Sequence, residues 1–200
     1  MKISTVQKIK PGDTIEQKGS HQYGIIDNKS VWFGDLSKID LQDNKKKNIY
    51  FINSKVNLFM PQKDDIVIGK ITFKTADFYK IELGQSYTGF LPVLAFPNVT
   101  RRNKPELQVD DYVISRIMHP SQESVLYCDE GLGKIDGFVY NFPVWKIRKL
   151  LVTQFLHDLG KSYKFQIGFG VNGRVFIKSE DVLVAKKIIN KIKDFNKNRF

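Results

Sequence analysis

Between Asp64 and Asp129 the chain breaks into short runs rich in β-branched and aromatic residues: Ile66 to Phe73, Phe78 to Gly84, Thr88 to Leu91, Tyr112 to Met118 and Ser124 to Cys128. Polar or glycine-bearing breaks separate them, so none can grow into a helix with a sustained apolar stripe. Five short strands within about seventy residues is the count of a small Greek-key barrel of the OB type, whose strand face commonly binds single-stranded nucleic acid.

Three places share a turn grammar: Pro11-Gly12-Asp13-Thr14-Ile15, Lys63-Asp64-Asp65-Ile66-Val67 and Val109-Asp110-Asp111-Tyr112-Val113. In each, an Asp able to close a turn on its own backbone precedes residues suited to a strand. Upstream of Pro61, Tyr23-Gly24-Ile25-Ile26 and Ser30-Val31-Trp32-Phe33 flank Asp27-Asn28-Lys29, which is hairpin chemistry. Lys45-Lys46-Lys47 reads as a solvated loop tip. Residues 1–61 are thus expected to form a small β domain and 62–130 the barrel.

After Gly131-Leu132-Gly133, read as a joint, the period changes. Ile135 to Tyr140 suits a strand, and Pro143 to Leu151 carries an early Pro and apolar residues at helical spacing. A second helix is expected to end near Leu159-Gly160, with Gly160 as its cap. Phe165 to Phe169 and Arg174 to Ile177 flank Asn172-Gly173, a hairpin signal. Ser179 is expected to cap a last helix with Glu180 and Asp181 in its first turn. The order β-α-α-β-β-α over 131–200 is that of a eukaryotic-type KH domain. The fold class expected is multidomain, all-β followed by α/β.

Lys and Arg number 32 against 21 Asp and Glu, a formal net charge of +11. Residues 1–61 carry ten bases and six acids, 62–133 eight and ten, and 134–200 fourteen and five; the balances +4, −2 and +9 recover +11. Such an excess favours a polyanionic partner, and nucleic acid leads. No apolar run approaches the roughly 20 residues that span a bilayer, and Met1 to Lys10 lacks the pattern of a secretory signal. Cys128 stands alone, so an internal disulfide and a zinc knuckle are both ruled out. A reducing compartment, nucleus or cytoplasm, is expected.

The most function-like stretch is Arg101-Arg102-Asn103-Lys104, three cations and an amide suited to phosphates and, through Asn103, to base edges. On the barrel strands Phe73, Phe78 and Tyr79 stand next to Lys70, Lys74 and Lys80, and an exposed ring can stack a base whatever its identity. Alternation puts Phe78 and Tyr79 on opposite faces, so one of them belongs to the core. Gly170-Val171-Asn172-Gly173 looks like the phosphate clamp of KH domains, but that clamp joins the first two helices and this tetrapeptide joins two strands. Gly170, Asn172 and Gly173 therefore read as a structural turn. Arg148, Lys149, Lys186, Lys187, Lys191 and Lys193 are either a nonspecific basic face or a solvated one.

Asp64-Asp65 and Asp110-Asp111 are turn formers; two-metal cleavage needs carboxylates converging from different elements. His21, His119 and His157 have neither a nucleophile nor metal spacing. Trp32 and Trp145 read as core anchors. No catalytic constellation, metal site, cofactor or small-molecule substrate is expected.

The barrel segment Asp65 to Ile71 resembles the S1-type RNA-binding domain. Phe96 to Pro105, Gly131-Leu132-Gly133, Ile147 to Leu151 and Gly170 to Val175, in this order and spacing, resemble the S1/KH cap subunits of the eukaryotic RNA exosome. The resemblance covers most of Pro61 to Ile177 and is weaker over the first sixty residues and the last helix. It implies an N-terminal β domain, an S1 barrel and a KH domain seated on a ring of RNase-PH-like subunits beside other cap subunits. Single-stranded RNA would be threaded toward a separate 3′-5′ exonuclease, in the nucleus, the nucleolus and the cytoplasm. A purely structural assembly subunit and a translation-related S1 protein are the alternatives.

Overall fold

The structure is a computed structural model that describes residues 2–17, 20–21, 24–40, 49–100, 102–151, 153 and 155–195. Arg101 and Lys45-Lys46-Lys47 lie outside the described residues. The chain divides into two compact units, Met1–Asn57 with Trp145–Asp158, and Leu58–Val144 with Leu159–Phe200.

In the first unit, strands β1 (Lys2–Ile9), β2 (Ser20–His21), β5 (Gly34–Asp40) and β6 (Ile49–Asn53) form a sheet of order β1-β5-β6-β2. Strands β3 (Ile25–Ile26) and β4 (Lys29–Ser30) form the expected hairpin. Its two turn residues, Asp27 (φ 48°) and Asn28 (φ 59°), both adopt positive φ, the geometry of a type I′ turn whose twist matches its strands. Ile9, Ile15, Ile25, Trp32, Leu36, Tyr50 and Ile52 make the core of this unit.

The second unit holds the expected barrel. Strands β7 (Ile66–Lys74), β8 (Phe78–Gly84), β9 (Tyr87–Pro92), β10 (Tyr112–His119) and β11 (Glu123–Tyr127) run β11-β9-β8-β7-β10, and a further β10–β11 pairing closes the ring. Within the barrel, β9 and β11 pair in parallel and the other described pairs are antiparallel. Val67, Ile71, Ile81, Leu83, Leu91, Val113, Ile117 and Leu126 are fully buried. On β8, β10 and β11 buried positions alternate with half-buried or exposed ones, the period-2 signature of a strand, whereas Val67, Ile68 and Gly69 of β7 are buried in a row. The expected joint is instead a turn leading into strand β12 (Gly133–Lys134), which pairs with β10.

The remaining elements follow in the expected order: β13 (Phe138–Asn141), α1 (Val144–Leu151), α2 (Phe155–Ser162), β14 (Gln166–Phe169), β15 (Arg174–Lys178) and α3 (Val182–Asp194). The sheet order is β13-β15-β14. Two helix ends differ from expectation. Helix α2 runs through Gly160 to Ser162, since Gly160 keeps ordinary helical backbone and no left-handed cap forms there. Asp181, not Ser179, caps α3: its carboxylate accepts from the Leu183 amide at 2.8 Å, which leaves no acid in the first turn.

The three repeated Asp segments build one turn three times. Asp13, Asp65 and Asp111 accept the backbone amides of Lys10, Gln62 and Gln108 at 2.8, 3.0 and 2.8 Å. Their own amides donate back to the carbonyls of Lys10, Gln62 and Gln108. The residue before each Asp, Gly12, Asp64 or Asp110, takes positive φ (93°, 67° and 75°), a conformation that Gly and short acids tolerate best. These acids are turn formers, as their spacing indicates.

Candidate nucleic-acid interface

At the end of β7 the pairing with β8 slips between Ile71 and Phe73. Strict alternation would put both residues inside the barrel; the bulge re-aims Phe73 outward, and it is 55% exposed. Beside it lies an open cleft of about 890 Å³ lined by Phe73, Lys74, Thr75, Tyr79, Arg102, Lys104, Pro105, Glu106, Gln108 and Val109, among others. Five residues singled out from sequence thus converge here: Phe73, Lys74, Tyr79, Arg102 and Lys104.

The loop bearing the cations is fastened to the barrel at two points. Leu107 is buried, and the Tyr79 hydroxyl donates to the Pro105 carbonyl at 2.8 Å. Tyr79, 2% exposed, is the core member of the Phe78-Tyr79 pair. Asn103 is exposed on the same loop, its amide bonded to the Thr100 carbonyl and hydroxyl. Glu106 and Gln108, which no sequence motif marks, enter the cleft because the irregular segment before β10 carries them there.

Ion pairing separates the cations of this unit into two groups. Lys70 Nζ lies 2.6 Å from Asp110, whose hydrogen bond and charge raise the lysine pKa. Lys80 lies 3.6 Å from Glu123 and over the Phe90 ring, Arg116 is 2.8 Å from Asp129, Lys134 is 2.7 Å from Asp111, and Arg174 pairs with Glu82. Lys74, Arg102 and Lys104 form no ion pair with a described residue, although the Lys74 charge contributes to lowering the Asp111 pKa. Three cations outside any such ion pair, set around an exposed ring, form a surface suited to an anionic aromatic ligand, while Lys70 and Lys80 are already engaged by carboxylates. Phe78 lies outside this cleft, edge to face with Phe90 at 5.3 Å, on the outer side of the β8–β9 pair with Lys80.

The tetrapeptide 170–173 is buried against the barrel. The Asn172 side chain, 9% exposed, accepts from the Ile68 amide at 3.2 Å and donates to the carbonyls of Ile68 and Leu83 at 2.7 and 2.8 Å. The Val171 amide donates to Ile66 at 2.9 Å. A Cβ on Gly170 would stand 2.7 Å from the Ile68 nitrogen, and Gly173 has φ 93° with its Cβ position 2.6 Å from the Phe142 carbonyl. Both positions demand glycine for packing. The amides of Gly170, Val171 and Gly173 donate to the carbonyls of Arg174, Ile66 and Gly170, so the motif ties the β14–β15 turn to the barrel.

Arg148 is also withdrawn from the candidate basic face. It is 7% exposed, with its guanidinium 3.8 Å from the centre of the Trp32 ring and bonded to the Val56 carbonyl at 3.3 Å. Burial, then nearby Lys55, lowers the pKa of Lys149. Lys186, Lys187, Lys191 and Lys193 are exposed on α3, Lys191 lying 4.7 Å over the Tyr163 ring. Trp32 is a core residue and Trp145 is half-buried. Among the described residues no group of three His, Cys, Asp or Glu side chains could hold a metal. Cys128 is buried, and burial pushes its thiol up to about 12.

Comparison with known proteins locates this architecture. Residues 59–138 match the family model of the exosome complex component RRP40 S1 domain, and residues 137–183 match a KH domain model. Exosome complex component rrp40 of Schizosaccharomyces pombe is 31% identical over 92% of this chain and 84% of its own. The Bos taurus exosome complex component RRP40 is 34% identical over 67% of this chain, and the alignment spans 53% of that relative, so the chain matches about half the length of its mammalian counterparts. A crystal structure assigned to an exosome complex RNA-binding protein shares the fold, with TM-score 0.57 and 20% identity over 72% of this chain and 88% of that one.

Proposed function

Since the chain belongs to the family of the exosome complex component RRP40, we propose that it is a non-catalytic, RNA-binding cap subunit of an exosome. In this reading it holds single-stranded RNA nonspecifically, helps thread it toward an associated 3′-5′ exonuclease, and bridges RNase-PH-like ring subunits beside other cap subunits. We also read the chain as three modules, 1–61, 62–130 and 131–200, working in the nucleus, the nucleolus and the cytoplasm.

The observation that carries the reading is the cleft in which Lys74, Arg102 and Lys104, none in an ion pair with a described residue, stand around exposed Phe73. Phosphates neutralised by these cations release counterions, and a base stacked on Phe73 adds sequence-tolerant affinity. Lys70, Phe78 and Lys80 form at most a secondary contact, because two of them are held by carboxylates and the third packs on Phe90.

Fluorescence anisotropy with a labelled single-stranded RNA tests this. Arg102→Ala with Lys104→Ala is expected to weaken binding and to reduce the slope of log K against log salt by about 1.4, at roughly 0.7 per lost phosphate contact. An unchanged affinity and slope would remove the cleft from the RNA path. Turnover of the RNA by the purified chain with magnesium would overturn the non-catalytic assignment.

A further inference from the structure

The cleft contains one feature that phosphate binding does not use. Glu106 lines it together with Lys74, Arg102 and Lys104, yet forms no ion pair with any described residue. Gln108 lines it too; its backbone amide is committed to Asp111, while its side-chain amide has no partner among the described residues. A carboxylate in a phosphate-binding groove weakens affinity for a polyanion by like-charge repulsion, so its presence calls for a different contact.

A carboxylate accepts hydrogen bonds and cannot donate them. Base edges differ in what they offer it. Cytosine and adenine present an exocyclic amino group, and guanine presents an amino group beside a ring N–H. Uracil presents one ring N–H flanked by two carbonyl oxygens, which a carboxylate repels. Gln108, with both a donor and an acceptor, can complete the edge of an amino-bearing base.

Resting on the RNA-binding reading of this cleft, we infer that Glu106 and Gln108 read the edge of one unstacked base held against Phe73, so that the cleft prefers amino-bearing bases over uracil. The backbone cations supply affinity without regard to sequence, and Glu106 supplies a modest local preference, because a polar group built to accept an amino donor is left facing a carbonyl when uracil enters.

Anisotropy with short oligocytidylate and oligouridylate at neutral pH separates the two, since both are pyrimidines with weak self-structure. The intact chain is expected to bind oligocytidylate about three- to tenfold more tightly, a difference of one good hydrogen bond. Glu106→Gln, whose amide can also donate to a uracil carbonyl, is expected to shrink that ratio to within about twofold, chiefly by strengthening oligouridylate binding. Equal affinities in the intact chain would overturn the inference, as would a Glu106→Gln variant that shifts both oligonucleotides by one common factor, the signature of bare charge. If Arg102→Ala with Lys104→Ala weakens both oligonucleotides while the intact chain does not discriminate, base reading fails and the RNA-binding cleft stands. Binding to neither would sink both.

Discussion

The Tyr79 hydroxyl, at the end of a buried ring on β8, donates to the Pro105 carbonyl in the middle of the cation-bearing loop at 2.8 Å. That contact links the barrel core to the cleft, because it fixes the backbone between Lys104 and Glu106. Tyr79→Phe keeps the ring and removes only this bond. Its expected cost is about 1 kcal/mol of stability, measurable by urea unfolding, with a several-fold loss of RNA affinity as the loop samples more positions. A variant as stable as the parent that binds RNA equally well would show that the loop holds its shape without Tyr79.

Asn172 fastens the β14–β15 turn to the barrel through three hydrogen bonds to Ile68 and Leu83. Truncation to Ala strands the Ile68 amide and weakens two carbonyl contacts in a buried site, and leaving buried polar groups unpaired costs more than the net worth of the bonds made. Asn172→Ala is expected to lose about 2–4 kcal/mol in urea melts. Because the Gly170, Val171 and Gly173 amides donate to protein carbonyls, whatever folded protein remains should bind RNA with unchanged salt dependence.

Much of this architecture was legible in the sequence for a local reason. The three Asp turns and the Asp27-Asn28 hairpin are decided by side chains bonding or bending the backbone within a few residues, so composition alone exposes them. The alternation that separates Phe78 from Tyr79 is equally local. What stayed hidden depends on register or irregularity. Lys70 pairs with Asp110 because β7 and β10 align Lys70 with Tyr112 across some forty residues of chain, and no short-range pattern carries that. Phe73 is exposed by a bulge, and Glu106 and Gln108 reach the cleft on a segment with no period. Gly160 misleads because glycine is tolerated within a helix as well as at its end.

Asp111 predicts the direction of acid sensitivity. The hydrogen bond from Lys134, followed by that from the Gln108 amide, lowers its pKa in the folded chain. A carboxylate with a folded value below its unfolded one, about 3.9, stabilises the protein fully above the unfolded value, and that contribution disappears as pH falls through the folded value. Asp111→Asn is therefore expected to be less stable near neutral pH by about 1 kcal/mol and to show a shallower loss of stability on acidification. Urea midpoints measured at pH 7 and pH 3 test this; an unchanged difference between the two would assign the acid response to other groups.

Cys128 offers a probe of barrel integrity that is independent of RNA. It lies between Tyr127 at the end of β11 and Asp129, buried against β10 with its thiol 3.6 Å from the Ile114 carbonyl, and burial followed by the Asp129 charge pushes its pKa up to about 12. Since the thiolate is the reactive species, the native thiol is expected to stay unmodified by a disulfide reagent at pH 8 over times in which the urea-unfolded chain reacts completely. Reaction of the folded protein should then proceed only through opening of the β10–β11 seam, which closes the barrel, so its rate should rise in Asn172→Ala if the turn helps keep that barrel shut. Rapid labelling of the intact native chain would show that the seam opens freely, and the closed barrel would then not be the state that presents the cleft to RNA.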